Sequence, residues 1–264
     1  MKRVMNVKRM MLASVVMLAM LLGLTSCKTE WKRISVLDDG PKLTESRPLT
    51  GFEEIEINGS PRVCYTQADS FSVRVRGTKT GIENILTDVD GKTLSIRNRG
   101  KISLVNISFS DDDALTVYVT SPDLTAIRLN GSGDFECDGR IDTDRMDIVL
   151  RGSGDIDVKD IICDRCEMEL IGSGDLNVSN VESINASASL IGSGDINLGL
   201  MRVKDTWLSL KGSGDIDAEL KEGCVALECE LRGSGDITLK GAVRQFDSHK
   251  YGSGDIHIDR LNVK

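Results

Sequence analysis

Residues 186–198 read Ala186-Ser187-Ala188-Ser189-Leu190-Ile191-Gly192-Ser193-Gly194-Asp195-Ile196-Asn197-Leu198. On both sides of the Gly-Ser-Gly-Asp core, apolar residues fall on every second position, the period of a half-buried strand. The same four residues recur seven times, starting at Gly131, Gly152, Gly172, Gly192, Gly212, Gly233 and Gly252, with steps of 21, 20, 20, 20, 21 and 19 residues. A near-constant period of about 20 marks a stacked-repeat architecture, whose units cannot bury their apolar faces alone.

Aligning the units on the first glycine extends the pattern. The even positions before it hold Met146, Ile148 and Leu150 in one unit, Cys166, Met168 and Leu170 in the next, then Thr206, Leu208, Leu210 and Leu227, Cys229, Leu231 further on. The even positions after it hold Ile156 and Val158, Leu176 and Val178, Ile216 and Ala218, Ile237 and Leu239. A third stretch closes each turn around Ile141, Ile161, Val181 and Met201. Strands stacked in register in this way make an all-β fold, a parallel β-helix (β-solenoid) of about 20 residues per turn, for which the right hand is the default. Seven rungs at about 4.8 Å give a column about 34 Å tall. With aromatics at 4% and 26 glycines in 264 residues, the composition suits narrow aliphatic ladders.

Residues 51–125 carry strand-like alternation at Ile55 and Ile57, Val73 and Val75, Leu94 and Ile96, 102–109, and Val117 and Val119, with one short helix expected over 80–86. They read as irregular N-terminal coils and a cap of the same solenoid, in which Asn58-Gly59-Ser60 is a degenerate copy of the later motif. The regular repeats occupy 126–264. The last rung places Ser248 and Lys250 where earlier units hold aliphatic residues, as a polar end cap would require.

Before the solenoid, Lys2, Arg3, Lys8 and Arg9 precede an apolar run from Met10 to Leu24, the makeup of a signal peptide over 1–26. The run is too short for a membrane span. It ends in Leu24-Thr25-Ser26-Cys27, which resembles a bacterial lipobox and implies lipidation of Cys27. Cleavage removes four basic and no acidic residues and moves the net charge from −8 to −12. So acidic a body excludes nucleic acid as a partner and leaves membrane contact to the N-terminal lipid. Lys28, next to the cysteine, favours an outer membrane lipoprotein, on the cell surface or the periplasmic face. Residues 27–50, polar and interrupted by Gly40, Pro41 and Pro48, read as a tether.

The Gly-Ser-Gly-Asp series reads as a corner of each turn, glycine being chosen where a Cβ is not tolerated. The aspartates then stand in one line. Adjacent unit charges about 4.8 Å apart repel by roughly 0.9 kcal/mol in water, so the fold must answer the ladder. One answer is a hydrogen bond from a Ser hydroxyl or a backbone N–H of the same turn. The other is a hard cation such as Ca²⁺, with Asp155, Asp157, Asp175, Asp195, Asp215 and Asp217 as the candidate ligands. Catalysis is not indicated: the carboxylates are repeated rather than set as a distinct pair, His249 and His257 are the only histidines, and no nucleophile elbow, zinc motif or phosphate loop is present. Trp207, at an outward position, is the one candidate for stacking on a sugar. Of the six cysteines after Cys27, no two share a column in adjacent rungs, so they read as free thiols.

The lipobox, the opening Gly51-Phe52-Glu53-Glu54-Ile55, the strand end Tyr118-Val119-Thr120-Ser121-Pro122 and the serial Gly-Ser-Gly-Asp-Ile together resemble the putative auto-transporter adhesin, head GIN domain family of Bacteroidetes, over 51–264. The resemblance implies a right-handed parallel β-helix and an adhesin role, and no catalytic residues. The expected function is an exported, lipid-anchored adhesin or binding module of the cell envelope, whose partner is a surface glycan or a host protein. The alternatives are a non-catalytic envelope scaffold and, behind it, a calcium-binding repeat or a polysaccharide-active enzyme.

Overall fold

The computed structural model describes residues 41–100 and 115–264. The signal peptide, Cys27, most of the tether and the strand expected over 102–109 lie outside the described residues. The chain opens with β1 (Leu43–Arg47), β2 (Glu54–Gly59), β3 (Arg62–Gln67) and β4 (Ser72–Gly77). A short helix α1 (Lys79–Asn84) leads to β5 (Ile85–Asp90), β6 (Thr93–Asn98) and β7 (Thr116–Ser121). The repeats supply β8 (Ala126–Gly131), β9 (Asp134–Asp142), β10 (Arg145–Gly152), β11 (Asp155–Gly172), β12 (Asp175–Gly192), β13 (Asp195–Met201) and β14 (Asp205–Gly212). They finish with β15 (Ile216–Leu220), β16 (Ala226–Gly233), β17 (Ile237–Val243), β18 (Gln245–Gly252) and β19 (Ile256–Val263).

Every pairing within the repeats is parallel, and the first glycines stand directly over one another from Gly131 to Gly252. This is the stacked β-solenoid that the period predicts. In β11 the buried residues are Ile156, Val158, Ile161, Cys163, Cys166, Met168 and Leu170. Their alternation is interrupted by two consecutive outward residues at Lys159-Asp160 and again at Asp164-Arg165. With the Gly-Ser-Gly-Asp bend, these give each rung three corners and three faces. Inside, Leu129, Leu150, Leu170, Leu190, Leu210 and Leu231 form one fully buried ladder; each such side chain contributes about 1.5–3 kcal/mol of burial.

The departures from a 20-residue step have local causes. Between Cys137 and Arg140, β9 holds one residue more than β11 does between Val158 and Asp160, which accounts for the 21-residue first step. On the third face the expected column residue Met201 is replaced by Leu200, which pairs with Val181 and is fully buried. The register shifts there because β13 spends one residue fewer than β12 after the corner. The chain regains its register through Arg202, the one non-glycine residue with positive φ (+56°) among the described residues.

The early coils belong to the stack, as expected, and Gly59 lies over Gly131. Their order does not follow the chain. The rung of β2 and β3 lies between that of β6 and β7 and that of β8 and β9. Antiparallel strands then close this end: β5 on β6, and β4 on β7 with β1 outside it. Residues 43–47, expected as part of the tether, are instead a sheet strand. Phe52 packs edge-on against Phe71 with ring centroids 5.1 Å apart, and Tyr65 stacks on Phe135 at 6.2 Å. Burial pushes the Tyr65 phenol up to about 12, and its oxygen lies 3.0 Å from Ser121 Oγ. The helix is one turn and a half, started by Thr78 Oγ1, which accepts the Gly81 amide at 3.2 Å.

At the opposite end the polar layer is confined to β18, where Ser248 and Lys250 are exposed and Lys250 Nζ bonds Asp255 Oδ1 at 2.5 Å. Strand β19 instead presents Ile258 and Val263, 44% and 52% exposed. The expected cap is therefore only half built. All six described cysteines are free, and all but Cys64 are buried. Interaction with Cys166 across the Asp164-Arg165 corner lowers the pKa of the Cys163 thiol, while that interaction and full burial raise that of Cys166.

Candidate functional site

The Gly-Ser-Gly-Asp corner is built by backbone contact between rungs. Gly152 O accepts the Ser173 amide and Gly172 O the Ser193 amide, each at 2.9 Å. A Cβ on Gly172 would lie 2.0 Å from Gly152 O, and φ there is +144°, a region side chains avoid. The second glycine is excluded by space alone: a Cβ on Gly174 would lie 1.9 Å from Gly154 O. Ser153 and Ser173 point outward, as expected.

The aspartate ladder finds its partner in the next rung rather than in its own turn. Asp155 Oδ1 accepts the Asp175 amide at 3.1 Å, Asp175 Oδ1 the Asp195 amide at 3.3 Å and Asp195 Oδ1 the Asp215 amide at 3.0 Å. The series continues from Asp236 to Asp215 at 2.8 Å and from Asp255 to Asp236 at 2.7 Å. An in-register ladder makes this possible, because each carboxylate stands beside the peptide N–H of its successor. Charge-assisted bonds of this kind offset the repulsion between neighbours. The balance varies along the ladder. Burial, helped by Asp155 and Asp195, raises Asp175, whereas the Asp255 amide and His257 hold Asp236 below the usual carboxylate range.

Two residues further on, Asp157, Asn177, Asn197 and Asp217 stand in register. Asn177 Nδ2 donates to Asp157 Oδ1 at 2.9 Å and Asn197 Nδ2 to Asn177 Oδ1 at 2.8 Å, an amide ladder that absorbs the Asp157 charge. The six candidate cation ligands thus fall in two parallel columns. Among the described residues no three His, Cys, Asp or Glu side chains converge as a metal-holding group. Beside the second column runs a shallow groove of about 450 Å³, reached by Asp217, Lys221 and Lys240. Lys221 already bonds Asn180 Oδ1 at 2.6 Å and Ser179 O at 3.0 Å, so its charge is spent within the fold.

A larger open groove, about 590 Å³, lies on the face formed by the strands that lead into the corners, and Trp207 stands in it. Its floor repeats two outward register positions across β11, β12, β14, β16 and β18. One column reads Glu167, Ser187, Trp207, Glu228, Asp247, the other Arg165, Asn185, Asp205, Ala226, Gln245. The groove exists because Ser187 and Ala226 are small where their neighbours are long. Trp207 is 39% exposed, much for so large an apolar side chain. From the sequence Trp207 alone stands out; the other lining residues occupy the two outward columns of the aligned repeats.

The match with known proteins agrees with this architecture. The family model for "Putative auto-transporter adhesin, head GIN domain" matches residues 51–224, and the chain belongs to that family. The match ends inside the stack, before the rungs that begin at Gly233 and Gly252. A crystal structure of a "putative adhesin" from Bacteroides fragilis has a TM-score of 0.70 at 23% identity, covering 84% of this chain and 97% of its own. One of a "putative lipid binding protein" from Parabacteroides distasonis has a TM-score of 0.66 at 24% identity, with 86% and 98% covered. Another "putative adhesin", from Parabacteroides merdae, gives 0.58 at 16% identity, with 86% and 98% covered. At these identities the likeness is one of fold. None of the curated proteins matches the chain.

Proposed function

We propose that the chain is a non-catalytic binding module of adhesin type, exported and held at the outer membrane by a lipid on Cys27. The observation that carries this reading is the Trp207 face: a long open groove with an exposed aromatic ring, on a sheet in which β11, β12, β14 and β16 are each paired on both sides. Such a face suits holding an extended partner. The family membership and the adhesin descriptions of fold relatives support it. Both histidines are exposed on the last rung; His249 lies 3.9 Å from Asp247 at the end of the groove, two rungs from Trp207. One oxygen each of Asp155, Asp175, Asp195, Asp215 and Asp236 is engaged by the amide of the next rung, which supports an architectural role for that column.

The test uses intact cells. Protease and antibody should reach the solenoid from outside, and deleting the gene should reduce attachment to a host-matrix or glycan surface. A chain accessible only after the outer membrane is opened would remove the adhesin reading. A replacement of Cys27 with Ser should release the protein from the membrane fraction.

A further inference from the structure

We infer that the Trp207 groove binds a neutral, extended glycan lying along the stack axis, with the indole as its stacking platform; this rests on the binding-module reading. The direction comes from register. The groove is lined by the same two positions in five successive strands, so it runs across the strands and not along one. Four rung spacings of about 4.8 Å give it roughly 19 Å of length. That fits a short oligosaccharide laid flat, with successive sugar rings meeting successive rungs.

The chemistry of the lining selects the ligand class. Trp207 offers an apolar face of the kind a pyranose covers with its C–H bonds, and such aromatic anchors dominate binding energy. Around it stand groups suited to hydroxyls: the Asn185 and Gln245 amides, the Ser187 hydroxyl, and the carboxylates of Asp205 and Glu228. Neither carboxylate makes an ion pair among the described residues, so both have acceptor oxygens to offer. Glu167 is already engaged by Arg165 Nε at 2.6 Å and by Arg145 at 2.9 Å. The lining carries Glu167, Asp205, Glu228 and Asp247 against Arg165 alone, which opposes a sulfated or uronate-rich polyanion. A basic peptide would meet the Arg165 guanidinium at one end, where Glu167 is already paired, and would find carboxylates interspersed with the Asn185 and Gln245 amides and the Ser187 hydroxyl along the rest. The donor and acceptor mixture matches a neutral polyol better than either charged polymer.

The experiment uses the full mature chain and titrates it with neutral hexasaccharides of β-1,4- and β-1,3-linked glucose, β-1,4-linked mannose and β-1,4-linked N-acetylglucosamine, with heparin and polylysine as charged probes. At least one neutral hexasaccharide should bind and shift the tryptophan emission. Trp207→Ala should weaken it about tenfold or more, Trp207→Tyr should keep most of it, and Ser187→Arg should block the groove with the indole intact. Heparin should not bind. Circular dichroism and melting establish that each variant is folded, which the exposed positions favour. Binding to none of the neutral probes, or equal binding by wild type and Trp207→Ala, overturns the inference. Polylysine binding alone, lost with salt, assigns the groove to a basic peptide and overturns it too. Should Trp207→Ala abolish cell attachment while no hexasaccharide binds, the binding-module reading stands and the glycan falls.

Discussion

The two ends of this solenoid solve the same problem differently. At the first end β1, β4 and β5 run antiparallel to the stack, α1 fills beside them, and Phe52 is wholly buried against Phe71. At the last end β18 and β19 continue the parallel order, each paired on one side only among the described residues, with every side chain exposed or half-exposed. A parallel stack offers each new rung a full set of partners, so it has no internal reason to end. Closing it needs strands that break the repeat, and among the described residues the first end alone has them. Stability should therefore fall from the first end and the middle towards the last rung, as it does in arrays governed by nearest-neighbour contacts.

The sharpest way to break this comparison is a glycine replacement at two heights. Gly172→Ala sets a methyl 2.0 Å from a backbone carbonyl at φ +144°, with fixed rungs on both sides. Overpacking and backbone strain of about 1–3 kcal/mol each give a loss of about 4 kcal/mol. Gly252→Ala meets the same obstacle, Gly233 O at 2.2 Å, but among the described residues its rung is paired on one side only and can move away. Urea unfolding should show less than half the loss at Gly252. Equal losses would mean that the last rung is held as firmly as the middle.

A second pair tests the ends through their aromatics. Phe52→Ala removes a fully buried ring and should cost about 3–5 kcal/mol. Phe246, half-exposed over the last core layer, should cost about 1 kcal/mol when cut to Ala. Hydrogen exchange should follow the same gradient, with β18 and β19 amides opening long before those of β11 and β12.

The same contrast explains what could be read from the sequence. Columns from Met146 to Leu239 were legible because each rung repeats its predecessor's register, so one alignment places every side chain. Met201 was misplaced because a residue lost after Leu198 is regained at Arg202, two compensating irregularities that leave the 20-residue step unchanged. The first end was legible as strands but not as an order, since no local pattern says that β2 and β3 slip between later rungs. Nor did the residues 43–47 show an apolar period, because β1 lies on the outside and buries little. The carboxylate ladder was predicted in position but not in partner: a sequence places Asp175 above Asp155, and only the rung geometry sets its amide against that carboxylate. The groove depends on what is small, Ser187 and Ala226, and a search for chemically active residues passes over both.

A finer prediction concerns the interior beneath the groove. Thr206 is buried with its Oγ1 lacking a hydrogen-bond partner, between Ala186 and Leu227 in the inward column. Burying an unsatisfied hydroxyl costs about 1–3 kcal/mol, and valine keeps the shape. Thr206→Val should raise stability by about 1 kcal/mol in thermal unfolding. It sits midway along the stack, so the gain should also appear as slower exchange in β14 and its two neighbours, and leave the terminal rung unchanged.

The smallest effect separates two members of one ladder by pH. Asp175, raised by burial and by Asp155 and Asp195, is penalised for ionising in the folded chain. Its ionised form therefore destabilises above the folded pKa, and the penalty is relieved as pH falls through that value. Asp236, lowered by the Asp255 amide and His257, contributes stability above the unfolded pKa that is lost as pH falls through the folded one. Replacing each with Asn should then act in opposite directions near neutral pH, by a few tenths of a kcal/mol as exposed charges do. Asp175→Asn should stabilise and Asp236→Asn should destabilise, and both differences should vanish once the carboxylates are protonated. Denaturant midpoints measured across that range give the two signs. If both replacements stabilised, plain repulsion would govern the whole ladder, and the amide and His257 would not distinguish its last rungs from its middle.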